Sequence, residues 1–342
     1  MGASISTNSF PVNGRTVLIT GGSQGTGREA AHQLAQRGAN VVIVARDAKK
    51  LEHALQYISS GAASPETQRF HHISADLTAP ETCARVIAET SKWNSGQPPD
   101  IVWCCAGIAH PTLFVDTDVS EFKTHMDNNY FTSVYMAHAI LRAWLRTDPQ
   151  SKLQSTTSPT KSESLAPRHI IFTSSLLAFY GVAGYAPYNP SKAALRSLSD
   201  SISQEMNLYA GANPGLPQIK VHTIFPATII TESSVTENEI KSDLTKMLEE
   251  SDKGQTPHEV ARKSIEGLEN GLELITSDFQ TRCLMSCSLG ASVRGGLWKG
   301  LCDWVLGSVM LLVAVLVRRD MDRKVWKWGQ DFGDSGMRTG KS

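Results

Sequence analysis

Short hydrophobic runs alternate along this chain with stretches whose apolar residues recur at helical spacing. Near-continuous apolar runs, such as residues 41–44, suit strands that are covered on both faces. The pattern therefore predicts one Rossmann-like α/β domain, a doubly wound parallel sheet with helices on both faces, followed by a C-terminal hydrophobic helix. The predicted strands are residues 16–20, 41–45, 70–74, 101–105, 169–173, 221–225 and 272–275.

Two polar segments interrupt this domain, which we place at residues 14–280. Residues 149–167 are rich in Ser, Thr and Pro without apolar periodicity, so we expect a disordered insertion there. Residues 228–256 are polar, show helical spacing near 240–248 and follow a strand end, where α/β folds collect their ligands. We predict that 228–256 form a substrate lid. The polar residues 1–13 are expected to be a flexible N-terminus.

Residues 281–342 form a C-terminal segment with a strongly apolar stretch at 301–317. Its uncharged part has 14 residues, about 21 Å of helix against a bilayer core of about 30 Å. Extending the helix toward Gly295 adds Lys299 and Asp303, whose charges would either lie near an interface or be tolerated at modest cost. We predict membrane association, by spanning or by lying in the interface, with a buried C-terminal helix as the alternative. The basic and aromatic flank that supports this prediction comprises Arg318, Arg319, Arg323, Lys324, Trp326, Lys327 and Trp328.

Charge and cysteine usage argue against several classes of protein. Lys plus Arg equals Asp plus Glu, at 33 each, so there is no overall basic field to attract nucleic acid. The six cysteines form no CxxC pair and no secretory signal begins the chain, which predicts a reducing, cytosol-facing compartment. The histidines match no metal motif, so we predict no metal site. Gly2 fits a loose myristoylation pattern, and its modification stays an open alternative.

A glycine-rich turn joins the first predicted strand to the next helix. Glycines allow a tight turn and a close approach to a pyrophosphate, whose charge the helix N-terminus stabilises. Because the turn lies between a strand and a helix, we interpret it as a nucleotide site rather than a simple turn. The residues predicted to bind the cofactor here are Gly21, Ser23, Gln24, Gly25 and Gly27.

The ends of the following strands carry further candidate cofactor contacts. Arg46 follows the second strand with Lys50 close behind, and a cation at this place accommodates the 2′-phosphate of NADPH. The sequence therefore favours NADPH over NADH, with a solvated surface arginine as the alternative. After the third strand, Asp76 can accept a hydrogen bond from an adenine amino group while Leu77 packs against the ring. Small residues at 104–107 suit a chain that passes close to the cofactor.

Tyr188 and Lys192 are four residues apart at the start of a predicted long helix, which places them on one face. An ammonium beside a tyrosine lowers a pKa that is ordinarily about 10, so the pair is suited to proton transfer. An ordinary helix pair is the alternative, but Ser175 stands at a strand end thirteen residues earlier and can stabilise charge on a substrate oxygen. Ser174 is a second candidate for this role. Asn129 is expected to lie at a helix start and to order a relay water near Lys192.

In the order and spacing of these motifs, residues 14–276 resemble the short-chain dehydrogenase/reductase family. The resemblance implies that Tyr188 is the acid/base, while Lys192 lowers its pKa and holds the nicotinamide ribose. It further implies that Ser175 binds the carbonyl and Asn129 supports the relay. The motifs that carry the resemblance are TGxxxGxG at 20–27, the Asp-Leu pair at 76–77, Asn129, Ser175 and YxxxK at 188–192.

Within this family the chain most resembles the fungal 3-ketosphinganine (3-dehydrosphinganine) reductases. This likeness implies NADPH-dependent reduction of the C3 carbonyl of a long-chain sphingoid ketone in sphingolipid biosynthesis, at the cytosolic face of the endoplasmic reticulum membrane. A homo-oligomer is also implied. The alternatives are a reductase for another hydrophobic carbonyl or alcohol (a steroid, retinoid or secondary metabolite) and a fold kept without catalysis. The likeness rests on residues 22–25, 44–46, 99–107, 254–257 and the hydrophobic C-terminal segment.

Overall fold

The computed structural model describes residues 8–145, 166–250, 252–290, 292 and 295–338. Within these ranges the strands are β1 (Thr16–Thr20), β2 (Asn40–Ala45), β3 (Phe70–Ser74), β4 (Ile101–Cys104), β5 (Arg168–Thr173), β6 (Ile219–Phe225) and β7 (Leu274–Thr276). They form one parallel sheet in the order β3-β2-β1-β4-β5-β6-β7. The direction of winding reverses between β1 and β4, which opens a crevice at the carboxyl ends of these two strands. The predicted fold class is confirmed, and each predicted strand end lies within two residues of an observed one.

Helices connect the strands and cover both faces of the sheet. A π-helical turn, Met126–Phe131, joins α4 to α5 without a break, and a short 3₁₀ turn at Leu176–Ala178 follows β5. The helices are α1 (Gly25–Ala35), α2 (Ala48–Ser60), α3 (Pro80–Trp93), α4 (Val119–His125), α5 (Thr132–Leu145), α6 (Tyr188–Ala212), α7 (Glu232–Ile240), α8 (Asp243–Leu248), α9 (Pro257–Glu269), α10 (Phe279–Ser288) and α11 (Leu297–Phe332).

The sheet is buried on both faces because its central strands are apolar at consecutive positions. Leu18 belongs to the core on one side, with Met136 of α5, whereas its neighbour Ile19 belongs to the core on the other side, with Ala30 of α1. Successive side chains of a strand point to opposite faces, so a continuous apolar run fills both cores. This double burial holds the carboxyl ends of the strands in fixed positions.

The packed core extends beyond both predicted domain ends. Phe10 and Val12 are buried in the core on the α1 side, so the prediction of a flexible N-terminus over 1–13 is wrong for these residues. Their apolar side chains pack there while Ser9 N donates to Glu269 O (2.9 Å). At the other end, Met285 and Leu289 pack against Phe225, beyond residue 280. Residues 1–7, with Gly2, and most of the predicted insertion at 149–167 lie outside the described residues.

The segment predicted as a lid is closed at its base by backbone hydrogen bonds. Gln255 N donates to Thr228 O (2.8 Å), and Ile230 N donates to Gln255 O (2.9 Å). Between these ends lie α7 and α8, of which the sequence indicated only the second. Helix α7 escaped detection because it has no buried apolar stripe, and its Val235 is 63% exposed.

Helix α11 is longer than the predicted apolar segment and lies largely on the surface. Within the described residues it is the one helix long and apolar enough to cross a membrane, judged by length and composition. Its most apolar 18-residue window has a mean hydropathy of 2.2, and 11% of that window is buried. Most of its apolar side chains therefore have no protein to pack against.

Both ends of α11 are nevertheless attached to the domain. Near its start, Gly307 passes so close to α10 that a Cβ would lie 2.7 Å from the Ser286 carbonyl oxygen. Just beyond its end, Leu244 N of α8 donates to Gly336 O (3.0 Å). Trp328 is buried, 5% exposed, and is stacked under the Arg338 guanidinium, so its predicted place in a membrane-facing aromatic flank is wrong.

Candidate active site

The turn after β1 has the backbone geometry that its glycines predict. Gly21 and Gly25 have positive φ angles of 66° and 57°, which glycine adopts without strain. A Cβ on Gly27 would collide with the carbonyl oxygen of Gly21. Helix α1 begins at Gly25 without a side-chain cap, and the residues of its first turn line the cleft. The turn forms a cradle that fits an anionic pyrophosphate.

Two cations lie beside this cradle at the end of β2. Arg46 is exposed and lines the cleft, and Lys50 Nζ lies 3.5 Å from Gln24 Oε1. A phosphate on the adenosine ribose would meet both positive charges. The acidic residue that binds a free ribose hydroxyl in NADH sites is replaced here by Arg46. All the predicted cofactor contacts line this one cleft: Gly21, Ser23, Gln24, Gly25, Gly27, Arg46, Lys50, Asp76, Leu77, Tyr188 and Lys192.

Asp76 is held in place by the residues that follow it. One of its carboxylate oxygens accepts hydrogen bonds from Thr78 N (3.0 Å) and Thr78 Oγ1 (2.8 Å). These hydrogen bonds lower the pKa of Asp76. Leu77 is buried beside it, 5% exposed. The pair forms a fixed part of the cleft wall, and its predicted contact with an adenine stays a prediction.

The two serines after β5 have different surroundings. Ser174 is buried, and its Oγ donates to the backbone carbonyl of Lys192 (2.7 Å), which ties β5 to α6. Ser175 is half-buried, accepts a hydrogen bond from Leu177 N (3.2 Å), and shares a hydrogen bond with the phenol of Tyr188. The geometry therefore distinguishes a serine that supports the fold from one whose hydroxyl faces the reacting region.

Tyr188 and Lys192 lie on one face of α6, as their spacing predicts. Lys192 Nζ is 5.5 Å from the centre of the Tyr188 ring and donates to Thr173 O (3.1 Å). Burial raises the pKa of Tyr188 to about 12, against a hydrogen bond with Ser175 that lowers it. Burial lowers the pKa of Lys192 to about 8. The predicted fall in the Tyr188 pKa is therefore wrong for this structure, because desolvation of the phenolate outweighs the hydrogen bond with Ser175.

Asn129 lies in the π-helical turn rather than at a helix start, so that prediction is wrong. The helix begins ten residues earlier, at Val119, because Asp118 caps it by accepting from Ser120 N (2.8 Å). Asn129 is fully buried, and its Oδ1 accepts from Ile108 N (2.7 Å).

Both N–H groups of the Asn129 amide are engaged. Its Nδ2 donates to Ile108 O (3.0 Å) and to Ser191 Oγ (3.0 Å), and Ser191 Oγ donates to Tyr188 O (2.7 Å). The amide thus connects the loop after β4 to the first turn of α6. Its predicted role in ordering a relay water stays a prediction.

These residues share one cleft of about 1710 Å³, which continues past the catalytic candidates to the C-terminal helix. The glycine turn, Tyr188 and apolar residues of α11 all line it. The α11 residues that line the cleft include Met310, Val313, Ala314 and Val317.

The sequence did not predict several residues that line the cleft beside the cofactor and catalytic candidates. The α11 side chains were assigned to membrane, and α7 gave no periodic signal. A signal was available for the tyrosines, since Tyr180 and Tyr185 lie between the predicted Ser175 and Tyr188. The missed residues include Tyr180, Tyr185, Glu237, Lys241 and Glu249.

Comparison with known families agrees with this geometry. A family model described as short chain dehydrogenase matches residues 15–242. The chain therefore belongs to the short-chain dehydrogenase family, as its motifs predict.

Within that family the chain is similar to fungal proteins over nearly its whole length. It is 46% identical to the 3-ketodihydrosphingosine reductase ksrA of Aspergillus fumigatus over 334 residues, which cover 96% of this chain and 88% of the relative. It is 40% identical to the 3-ketodihydrosphingosine reductase gsl-3 of Neurospora crassa, over 97% of this chain and 87% of the relative.

Solved structures share the fold at lower identity. A short chain dehydrogenase of Shigella flexneri complexed with NADP has a TM-score of 0.59 and 20% identity, covering 78% of this chain and 97% of that structure. A short-chain dehydrogenase/reductase of Mycobacterium marinum has a TM-score of 0.62 and 22% identity, covering 79% and 96%.

Proposed function

We propose that this chain reduces 3-ketosphinganine, also named 3-ketodihydrosphingosine, to sphinganine with NADPH. The observation that carries the proposal is that the glycine turn, Tyr188 and apolar residues of α11 line one cleft. Such a cleft offers a place for a dinucleotide, a carbonyl beside the phenol and a long aliphatic chain. The similarity to two fungal 3-ketodihydrosphingosine reductases supports this choice of substrate.

The cofactor assignment rests on the residues of the cradle. The first turn of α1 would hold the pyrophosphate, and Arg46 and Lys50 would hold the 2′-phosphate. When bound, NADPH would supply the hydride for the C3 carbonyl carbon. The protein holds the carbonyl in place and supplies a proton.

Tyr188 is the proposed proton donor, with Ser175 as its partner on the substrate oxygen. The Ser175 hydroxyl would donate a hydrogen bond to the carbonyl oxygen as negative charge develops there. A Tyr188 pKa of about 12 keeps the phenol protonated at neutral pH, which suits a donor in a reduction. Lys192, whose pKa of about 8 leaves it mostly protonated, would stabilise the phenolate that remains.

The test is NADPH oxidation by the purified full-length chain in detergent, started with 3-ketosphinganine. We expect turnover by the wild type and a loss of about 10²-fold or more in Tyr188→Phe, which removes the proton donor. Tyr188→Phe should still bind NADPH. Tyr135→Phe is the matched control, because Tyr135 stacks on Phe131 outside the cleft and should keep its rate. No turnover by a protein that binds NADPH would contradict the substrate, and turnover of a steroid or retinoid ketone instead would favour the alternative.

We infer that α11 associates with a membrane surface. Leu297 is 93% exposed and Leu312 is 74% exposed, and an apolar surface of this extent is typical of a membrane or protein contact. At 36 residues the helix is about 54 Å long. Because residues near both of its ends contact the same domain, a position parallel to the lipid interface fits better than a span.

Vesicle flotation tests the association. Leu312→Glu with Leu316→Glu should reduce binding to lipid vesicles, while Leu208→Glu, which changes a leucine exposed on α6, should leave it intact. Equal binding by all three proteins would contradict the inference.

We propose that the membrane is the endoplasmic reticulum with the active site facing the cytosol, where a sphingoid ketone partitions into the bilayer. In sealed microsomes, a membrane-impermeant maleimide should label both the exposed Cys302 and a Ser335→Cys variant without detergent. Labelling at only one end would indicate a span. The implied homo-oligomer stays a prediction, which mass photometry in detergent would test.

A further inference from the structure

Helix α7 places one of its glutamates in the cleft wall close to the proposed proton donor. Glu237 is half-buried and lines the cleft, whereas Glu239 on the same helix is exposed. The negative charge of Glu237 adds to burial in raising the pKa of Tyr188, and it also raises the pKa of Tyr185. The packing around the helix agrees with this: Lys241, one helical turn after Glu237, has its Nζ 5.7 Å from the centre of the Tyr185 ring, and that ring lies 6.0 Å from the Tyr188 ring.

The other carboxylates that line the cleft are either exposed or already have partners. Glu232, in the first turn of α7, is exposed to solvent. The paired ones are Asp47, which caps α2, Asp76 with Thr78, Asp252 with Gly254 N, Asp278, which caps α10, Asp320 with Lys324, and Glu249 with Lys241. These paired carboxylates already form hydrogen bonds or ion pairs within the protein.

Glu237 differs from this set because its nearest cation is engaged elsewhere. Lys241 lies one helical turn further on and lowers the pKa of Glu237, while burial raises it more. Yet Lys241 Nζ binds Glu249 at 2.6 Å, and among the described residues no side chain or backbone N–H forms a hydrogen bond or ion pair with the Glu237 carboxylate. A half-buried carboxylate without a protein partner is free to form a charge-assisted hydrogen bond with a cationic ligand at this place.

The position of Glu237 is fixed relative to the nucleotide cradle. Thr231 and Ser234 form a capping box that starts α7. The Thr231 methyl group would lie 3.6 Å from a Cβ built on Gly25, so α7 starts directly beside the glycine turn. Helix α7 therefore begins at the cofactor cradle, and Glu237, further along the helix, lines the same cleft.

The substrate of the proposed reaction carries a cation next to its reacting carbonyl. 3-Ketosphinganine has an ammonium on C2, the carbon next to the C3 carbonyl. A carbonyl within reach of Tyr188 therefore places the ammonium one carbon away, inside the cleft that Glu237 also lines. We propose that Glu237 binds this C2 ammonium and so selects amino ketones over ketones that lack the amine. The inference rests on the proposed function and names the group that recognises the substrate head.

The experiment compares two ketones on three variants of the full-length chain in detergent. The ketones are 3-ketosphinganine and the matching hydroxy ketone without the amine. In Glu237→Gln, the ratio of kcat/KM for the amino ketone to that for the plain ketone should fall by about 10- to 100-fold, as expected for loss of a hydrogen bond between charged groups. Glu237→Asp should restore part of the ratio. Glu239→Gln makes the same charge change on the exposed side and should keep the wild-type ratio.

NADPH binding, measured for each variant, separates a folding failure from a change in specificity. An unchanged ratio in Glu237→Gln, or an equal loss for both ketones, would overturn the inference and assign Glu237 to holding α7 in place. If the wild type reduces other ketones but not 3-ketosphinganine, the proposed function itself is contradicted.

Discussion

A substitution at Gly107 tests the arrangement of the catalytic residues through packing alone. A Cβ added to Gly107 would lie 2.9 Å from Asn129 Oδ1 and 3.2 Å from Lys192 Nζ, both closer than ordinary van der Waals contact. Gly107 is not among the described glycines with positive φ, so alanine is acceptable to the backbone itself. Within the protein, Gly107→Ala therefore acts mainly on these two side chains, and because Gly107 also lines the cleft, NADPH binding is measured beside the rate.

The two neighbours differ in how readily they can move. Three hydrogen bonds hold the Asn129 amide, to Ile108 N, Ile108 O and Ser191 Oγ. The Lys192 ammonium is the end of a flexible side chain held by Thr173 O at 3.1 Å. We expect the lysine to yield and this hydrogen bond to weaken. Overpacking of this kind lowers the free energy of unfolding by about 1–3 kcal/mol. A displaced catalytic group lowers kcat by about 10²-fold for a shift near 1 Å.

Denaturant unfolding and steady-state NADPH oxidation measure the two effects. Gly211→Ala is the control, since Gly211 lies in α6 with nothing within 4 Å of an added Cβ. It should stabilise the protein by about 0.5–1 kcal/mol and leave kcat unchanged. Wild-type values of both quantities in Gly107→Ala would refute the placement of Asn129 and Lys192 around this glycine.

Three further predictions concern single side chains of the site. Ser175→Ala should lower kcat by about 10²-fold, as for other oxyanion donors. Ser174→Ala should mainly lower the free energy of unfolding, by about 1 kcal/mol, because the Ser174 hydroxyl donates to the Lys192 carbonyl. A larger kcat loss in Ser174→Ala than in Ser175→Ala would reverse the assignment. Arg46→Asp should weaken NADPH binding about tenfold or more and NADH binding much less, measured by calorimetry, and equal effects would remove the 2′-phosphate contact. Burial lowers the pKa of Lys192 from 10.5 to about 8, so the unfolded chain binds more protons than the folded chain between these pH values. The free energy of unfolding of the wild type should therefore rise relative to that of Lys192→Met as the pH increases from 8 to 10.5. A difference that does not change with pH would contradict the burial of this ammonium.

The fold and the main site residues could be predicted because their signals are local. A continuous apolar run at 41–44 indicates a strand covered on both faces wherever it occurs. Parallel strands bring their carboxyl ends to one edge, so the glycine turn and Ser175 had to meet there. The four-residue spacing of Tyr188 and Lys192 likewise determines that they share a helix face.

Other features depend on packing that no short segment encodes. The Tyr188 pKa rises because the phenol is buried, and burial is decided by elements far along the chain. Glu237 was missed because α7 has no apolar stripe, and its place in the cleft follows from the closed base of the 228–256 segment. Trp328 has the composition of a membrane flank, yet the returning chain at Arg338 covers it.

The π-helical turn at Met126–Phe131 makes the helix around Asn129 behave as two helices of different phase joined without a loop. Before and within this turn the helix contacts α6, and after it the helix packs on α3 and β4 through a stripe that includes Met136 and Ile140. Deleting one residue from the turn would restore a regular α-helix and rotate one half against the other by about 100°. Either the amide of Asn129 would leave Ile108 or the apolar stripe would leave the core. This segment therefore tolerates no insertion or deletion of even one residue, whereas loops on the surface of the domain do.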